Sequence, residues 1–216
     1  LKNFPMSKNL FALTALCLSL SACSTLPSPF ASSSAPSSAT VAPYREQVEL
    51  TGRLNVVYQK DDKPESATVN FNWQQTAQRT DVTLYSPVGS TLATIAVTPR
   101  EAVLTQSGKP PRRAPDVDAL SAQMLGWSLP VSGLRDWLQG HAVGADGKRF
   151  VASPANDSVT TKDGWRLRYV SWQDASDNTP GALPQPRRID AERNASAQAD
   201  AVSLRIVLDA PSAQAQ

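Results

Sequence analysis

The stretch that decides the fold is ATVNFNWQQTAQRTDVTLYSPVGSTLATIAVT, residues 67–98. Val69, Phe71 and Trp73 alternate with Thr68, Asn70, Asn72 and Gln74. One face of the extended chain is therefore apolar, and the other carries hydroxyls and carboxamides. A period of two is that of a half-buried strand. TDVTLYS repeats the pattern, with Val82 and Leu84 on one side. Pro87 to Ser90 make a turn, and TLATIAVT follows as a further strand carrying Ile95 and Val97. Strands joined by short polar turns indicate an antiparallel sheet rather than parallel units linked by helices.

Upstream, VELTGRLNVVYQ alternates Leu50, Gly52, Leu54, Val56 and Tyr58 with polar residues. It predicts a strand that pairs with ATVNFNWQQ as a hairpin, with QKDDKPES (59–66) as the turn. Downstream, EAVLTQ predicts a fifth strand, and then the period changes. In PDVDALSAQMLGW, Val117, Leu120, Met124 and Leu125 share a helical face, Asp116 is the expected N-cap, and Gly126 and Pro130 end the helix. SGLRDWLQG predicts a second helix, capped by Ser132, with Leu134, Trp137 and Leu138 apolar and Gly140 at the favoured C-terminal position. Strand signals then return. Asp163-Gly164 lies between alternating residues and marks a hairpin. QPRRIDAER and AVSLRIVLDA read as the closing strands, the latter with Val202, Leu204, Ile206 and Leu208 on one face. The expected architecture is a large antiparallel sheet with two helices inserted between its halves.

The chain offers little covalent chemistry. Its single histidine, His141, falls in the polar stretch HAVGADGKRF, which reads as a loop with a solvated imidazole. There is no nucleophile-elbow, CxxC or HExxH pattern. Asp61-Asp62 reads as a solvated turn, and Asp116 and Asp118 as a helix start favoured by the macrodipole. No metal, no cofactor and no enzymatic activity are expected. A formal net charge of +2 argues against a nucleic-acid footprint.

The N-terminal region has another character. Lys8 precedes an apolar run from Leu10 to Leu20, too short to span a bilayer, and the run ends in Leu20-Ser21-Ala22-Cys23. Either Met6 is the translation start or Leu1 is read from a non-Met codon. The LSAC tetrapeptide resembles the lipobox of bacterial lipoproteins. That resemblance implies a signal peptide over 1–22 and cleavage that leaves Cys23 as the acylated first residue. Cys17 would leave with the signal, so the mature chain would hold one cysteine and no disulfide. Residues 23–43, rich in Ser, Pro and Ala, read as a tether that cannot bury enough apolar surface to fold. Ser24, next to the acylated position, is compatible with export to the outer membrane. A folded domain is expected over 44–211, followed by a tail over 212–216.

Four segments carry a more specific resemblance: FNWQQTAQRTDVTLYSPVGSTLATI (71–95), LGWSLPVSGLRDWLQG (125–140), GWRLRYVSW (164–172) and LPQPRRID (183–190). In order and spacing they resemble the LolB family of outer-membrane lipoprotein receptors. The resemblance implies a mainly β fold with a helical insert, an unclosed antiparallel β-barrel (half-barrel) over a helical lid, of the LolA/LolB type. It implies an apolar cavity for acyl chains, for which Phe71, Trp73, Leu84, Ile95, Met124, Leu125, Leu134, Trp137 and Leu138 are the candidate lining; plain core packing is the competing role of each. It implies that the turn Pro87, Val88, Gly89 is a membrane-insertion loop, with valine where the family usually has leucine. The implied partners are a LolA-type periplasmic carrier, acylated lipoprotein cargo and outer-membrane phospholipid. The chain is expected to be a monomer, anchored through Cys23 at the periplasmic face of the outer membrane. A structural or assembly lipoprotein without acyl cargo, or a LolA-like soluble carrier, are the alternative functions.

Overall fold

The computed structural model describes residues 38–60, 63–125, 129–173, 183–195 and 201–210. Six strands form an antiparallel meander: β1 (Val48–Lys60), β2 (Lys63–Gln75), β3 (Thr80–Tyr85), β4 (Thr91–Val97), β5 (Ala102–Thr105) and β6 (Arg112–Ala114). Two helices follow, α1 (Val117–Leu125) and α2 (Val131–Trp137), and then a two-stranded ribbon, β7 (His141–Val143) and β8 (Arg149–Val151). The chain re-enters the main sheet as β9 (Ser158–Thr160), β10 (Arg166–Trp172), β11 (Pro186–Arg193) and β12 (Val202–Leu208). β12 pairs with β1, giving a ten-stranded antiparallel sheet in the order β6-β5-β4-β3-β2-β1-β12-β11-β10-β9. The sheet does not close, and β6 and β9 are its edges. This is the half-barrel expected from the sequence.

The alternation seen in the sequence becomes the two faces of this sheet. Phe71 and Trp73 are buried while Gln74 is exposed, and Val202, Leu204, Ile206 and Leu208 are all buried. The core lies on the apolar face, where α2 contributes Val131, Leu134 and Trp137. Gly52 permits the tight coiling this requires. A β-carbon there would sit 2.3 Å from the Val207 carbonyl oxygen, and the Phe71 ring covers the gap from the paired strand. Glycine inside a strand marks such a close backbone approach.

Helix α1 starts as predicted, with the Ala119 N–H donating to Asp116 Oδ1 at 2.7 Å. Helix α2 does not. Pro130 occupies its N-cap position, and Ser132 lies inside the helix, where its backbone N–H and hydroxyl both donate to the Asp118 carboxylate. The predicted cap is replaced by a bond between the two helices. Arg135 ties α2 to the sheet by donating to the Thr76 carbonyl at 2.8 Å and to the Thr80 hydroxyl. Gly140 follows α2 with φ +83°, as predicted for a helix C-terminus.

Two further expectations are corrected. The segment 59–66 is not a long turn: the strands continue through it, with Lys60 opposite Lys63, and the tip Asp61-Asp62 lies outside the described residues. The segment HAVGADGKRF is not a loop but the β7–β8 ribbon, turning at Gly147 with φ +78°. Gly126 lies outside the described residues.

Residues just before β1 form a strap over the ribbon. The Val41 side chain is buried, and its N–H donates to the Ala152 carbonyl at 3.0 Å. Gly140 leaves the space it fills: a β-carbon there would lie 2.8 Å from a Val41 methyl. His141 Nε2 is 3.0 Å from the Ala42 carbonyl oxygen, and the Tyr44 ring meets the imidazole edge-on at 6.0 Å. His141 is thus half-buried beneath the strap rather than solvated. Gln139 and Arg45 exchange two bonds, at 2.9 and 3.0 Å, and Gln75 Nε2 donates to the Tyr44 hydroxyl at 2.7 Å. The strap therefore fastens the end of α2 to β2.

Candidate functional site

Pairing register brings the predicted apolar residues into two rungs across the sheet. One runs Leu50–Trp73–Val82–Ile95–Leu104, and the next Gly52–Phe71–Leu84–Ala93. Cross-strand neighbours on one face stand about 4.5–5.5 Å apart, so each rung is a continuous hydrocarbon band. Leu134 and Trp137 of α2, and Leu138 just after it, belong to the same buried cluster as the rung residues Phe71, Trp73, Val82, Ala93 and Leu104. The Trp137 indole lies 6.1 Å from that of Trp165 and sits over Gly133, whose absent β-carbon would be 2.8 Å from the ring. One turn back on the same helix, glycine is what lets the indole lie against α2.

Phe71, Trp73, Leu134, Trp137 and Leu138 are buried, each within the closely packed core. Leu84, Ile95 and Met124 are partly buried at its margin, with Leu54, Val56 and Leu129. The side chain of Leu125 lies outside the described residues. Depressions of about 590 and 180 Å³ occur elsewhere. The larger is lined chiefly by Thr51, Arg53, Asn70, Asn72, Tyr85 and Asp209, mostly on the carboxamide face, and the smaller lies where β1, β11 and β12 begin or end.

One titratable group in the core and one at its border have displaced equilibria. The Tyr169 hydroxyl is buried, donates to the Trp137 carbonyl at 3.2 Å, and has its pKa pushed up by burial and then by the Asp136 charge. Asp136, at the end of α2, is held above the ordinary carboxylate range by burial, against the opposing pull of His141, Arg135 and Arg149. Tyr169 stands on β10 and Asp136 on α2, so neither belongs to the two rungs. Those rungs bear only hydrocarbon and the Trp73 indole, whose N–H donates to Gln75 Oε1 at 3.1 Å. Among the described residues, no group of three His, Cys, Asp or Glu side chains is arranged to hold a metal ion.

The β3–β4 turn is built differently. The Ser86 N–H donates to the Ser90 carbonyl at 2.8 Å, Gly89 N–H to the Ser86 carbonyl at 2.9 Å, and Gly89 has φ +90°. These bonds leave the Val88 side chain 89% exposed, the most exposed large apolar residue among those described, and Leu92, at the start of β4, is itself 44% exposed. A lone exposed valine is ordinary. One held at the apex of a rigid turn, with a second apolar side chain below it, is a pointed apolar contact.

An open antiparallel sheet whose apolar face is covered by two helices defines a half-barrel fold. The family model described as outer membrane lipoprotein LolB matches residues 46–210. Relatives named outer-membrane lipoprotein LolB include that of Cupriavidus pinatubonensis, 39% identical over 157 residues, with 72% of this chain and 76% of the relative covered. That of Ralstonia nicotianae is 39% identical over 162 residues, covering 73% and 77%, and that of Thiobacillus denitrificans 31% over 195 residues, covering 86% and 91%. The chain belongs to the LolB family of outer-membrane lipoproteins. The family is one of transport proteins, not enzymes.

Proposed function

We propose that this chain is an outer-membrane receptor that accepts mature lipoproteins from a LolA-type periplasmic carrier and inserts them into the inner leaflet of the outer membrane. Cys23 carries the acyl anchor, residues 24–40 connect it to the strap that begins at Val41, and the protein acts as a monomer. Burial of an acyl chain is worth about 0.8 kcal/mol per CH₂. Moving a lipoprotein through water with its chains exposed would therefore cost tens of kcal/mol on that scale. The rungs through Phe71, Trp73, Leu84 and Ile95 supply the compensating surface. Leu134, Trp137 and Leu138 cover it, and Met124, Leu84 and Ile95 form the margin where cargo enters as the helices part.

The observation that carries this reading is Val88, exposed at the apex of a turn in a chain of this family. Its burial in lipid contributes on the order of 1.5 kcal/mol, about tenfold in a partition constant. A charge at the same place adds a desolvation cost. In a two-step assay, Val88→Glu should take a labelled lipoprotein from the carrier as well as wild type does but deliver it to vesicles at least tenfold more slowly. Equal delivery by both would remove the turn from the mechanism, and failure at the first step would put Val88 at the carrier contact instead. Mass spectrometry of the mature N-terminus tests the anchor, with an unmodified residue other than Cys23 as the refuting result.

A further inference from the structure

The meander places the β3–β4 turn and the β5–β6 turn at the same end of the sheet, on adjacent hairpins, because β4 pairs with β5. The β5–β6 turn carries Lys109, whose N–H donates to the Gln106 carbonyl at 3.2 Å, beside Gly108 at φ +69°. Arg112 opens β6 directly after it. Lys109 and Arg112 are exposed and have no ion-pair partner among the described residues, whereas Arg113 donates to Glu101 at 2.8 Å. From Val82 to Pro115 the sequence contains one carboxylate, Glu101, and that residue lies in the β4–β5 connection at the opposite end of the sheet. In a chain with 21 basic and 19 acidic residues, this end of two hairpins is thus apolar and cationic with no acid to offset it.

We propose that Lys109 and Arg112 form a contact for anionic phospholipid headgroups that seats the Val88 apex on the membrane. The proposal rests on the membrane-contact reading of Val88. An apolar point beside unpaired cations matches the chemistry of a phosphate-bearing lipid surface, where apolar burial and charge attraction add. Each Lys or Arg near an anionic leaflet is worth about fivefold in binding, and the attraction is screened by salt.

The test uses the chain beginning at Ser24, which removes the anchor and keeps every described residue. Its co-sedimentation is measured with vesicles of phosphatidylethanolamine and phosphatidylglycerol, and with vesicles of phosphatidylcholine alone. Wild type should prefer the anionic vesicles, and raised salt should erase the preference. Lys109→Gln with Arg112→Gln should weaken anionic binding by about 25-fold, two charges at about fivefold each, and leave phosphatidylcholine binding unchanged. Arg100→Gln, on the same pair of hairpins but at the other end, should bind as wild type does. Absence of the lipid preference in wild type, equal binding by the double variant, or an equal loss in Arg100→Gln would overturn the proposal. Val88→Glu separates it from the reading beneath: if that variant binds normally while the double variant does not, the apex reading fails and the headgroup contact stands.

Discussion

Gly133→Ala sets two effects of opposite sign against each other, and the structure decides between them. Alanine is the better helix former by up to about 1 kcal/mol, less near a helix end. Gly133 lies in the first half of α2 with no positive φ, so this gain would be realised at an ordinary helical site. The new methyl, however, would stand 2.8 Å from Cε2 and Cζ2 of Trp137. The indole cannot swing away, being 5% exposed and packed against Trp165. Overpacking of this kind costs about 1–3 kcal/mol. The expected net result is a loss of about 1–2 kcal/mol in urea unfolding, or a fall in Tm of roughly 2–8 °C for a domain of this size. Trp137→Phe removes the ring atoms that the methyl strikes. In that background Gly133→Ala should become neutral or stabilising, which gives a coupling of about 1–3 kcal/mol between the two sites. A Gly133→Ala protein as stable as wild type, or the same loss in both backgrounds, would refute the idea that this glycine is present to seat the indole.

Val41→Ala should lower stability by about 1–3 kcal/mol, through lost burial and the space left against Gly140; an unchanged urea midpoint would mean that the strap contributes nothing to the fold. Asp136 has a folded pKa raised by burial, so the folded state binds its proton more tightly than the unfolded chain does, and the stability this contributes is lost as pH rises through the folded value. Asp136→Asn should accordingly gain stability relative to wild type as pH is raised from about 3 to 7, and a difference that shrinks with rising pH would contradict that sign.

Most of the sheet was legible because its strands are half-buried. Residues 67–75 and 202–208 alternate so cleanly that face and sheet type follow from them, and the cap at Asp116 and the turn at Gly164 are local chemistry. Strand β6 was not legible: three residues, Arg-Arg-Ala after two prolines, hold no period, and only pairing with β5 makes them a strand. The β7–β8 ribbon did carry a signal, Asp146-Gly147, the same dipeptide type that marks the β9–β10 turn, but its flanking strands are too short to show alternation. Ser132 has the composition of a cap and was drawn away by Asp118, a tertiary partner outside any local window. Of the candidate site, the apolar strand faces were readable, and strand pairing then sets Phe71 and Leu84 on one rung and Trp73 and Ile95 on the next. How tightly each is closed depends on how α1 and α2 settle on the sheet, which no alternation encodes.

The strap joins the molecule at the end of the sheet that holds Gln75, the β2–β3 connection and the first residues of β1. The Val88 apex is at the other end, past the six residues of β3 and half of the following turn. At about 3.4 Å per residue, β3 alone separates them by some 20 Å. An anchor at Cys23 is eighteen residues from Val41, a contour of at most roughly 60 Å. If anchor and apex meet one bilayer, about a third of that contour is consumed in running back along the domain, and what remains limits how far the apex can lift from the surface between deliveries. The length of the Ser/Pro/Ala segment then sets the stroke of the receptor: a much shorter one would hold the wrong end of the sheet against the membrane.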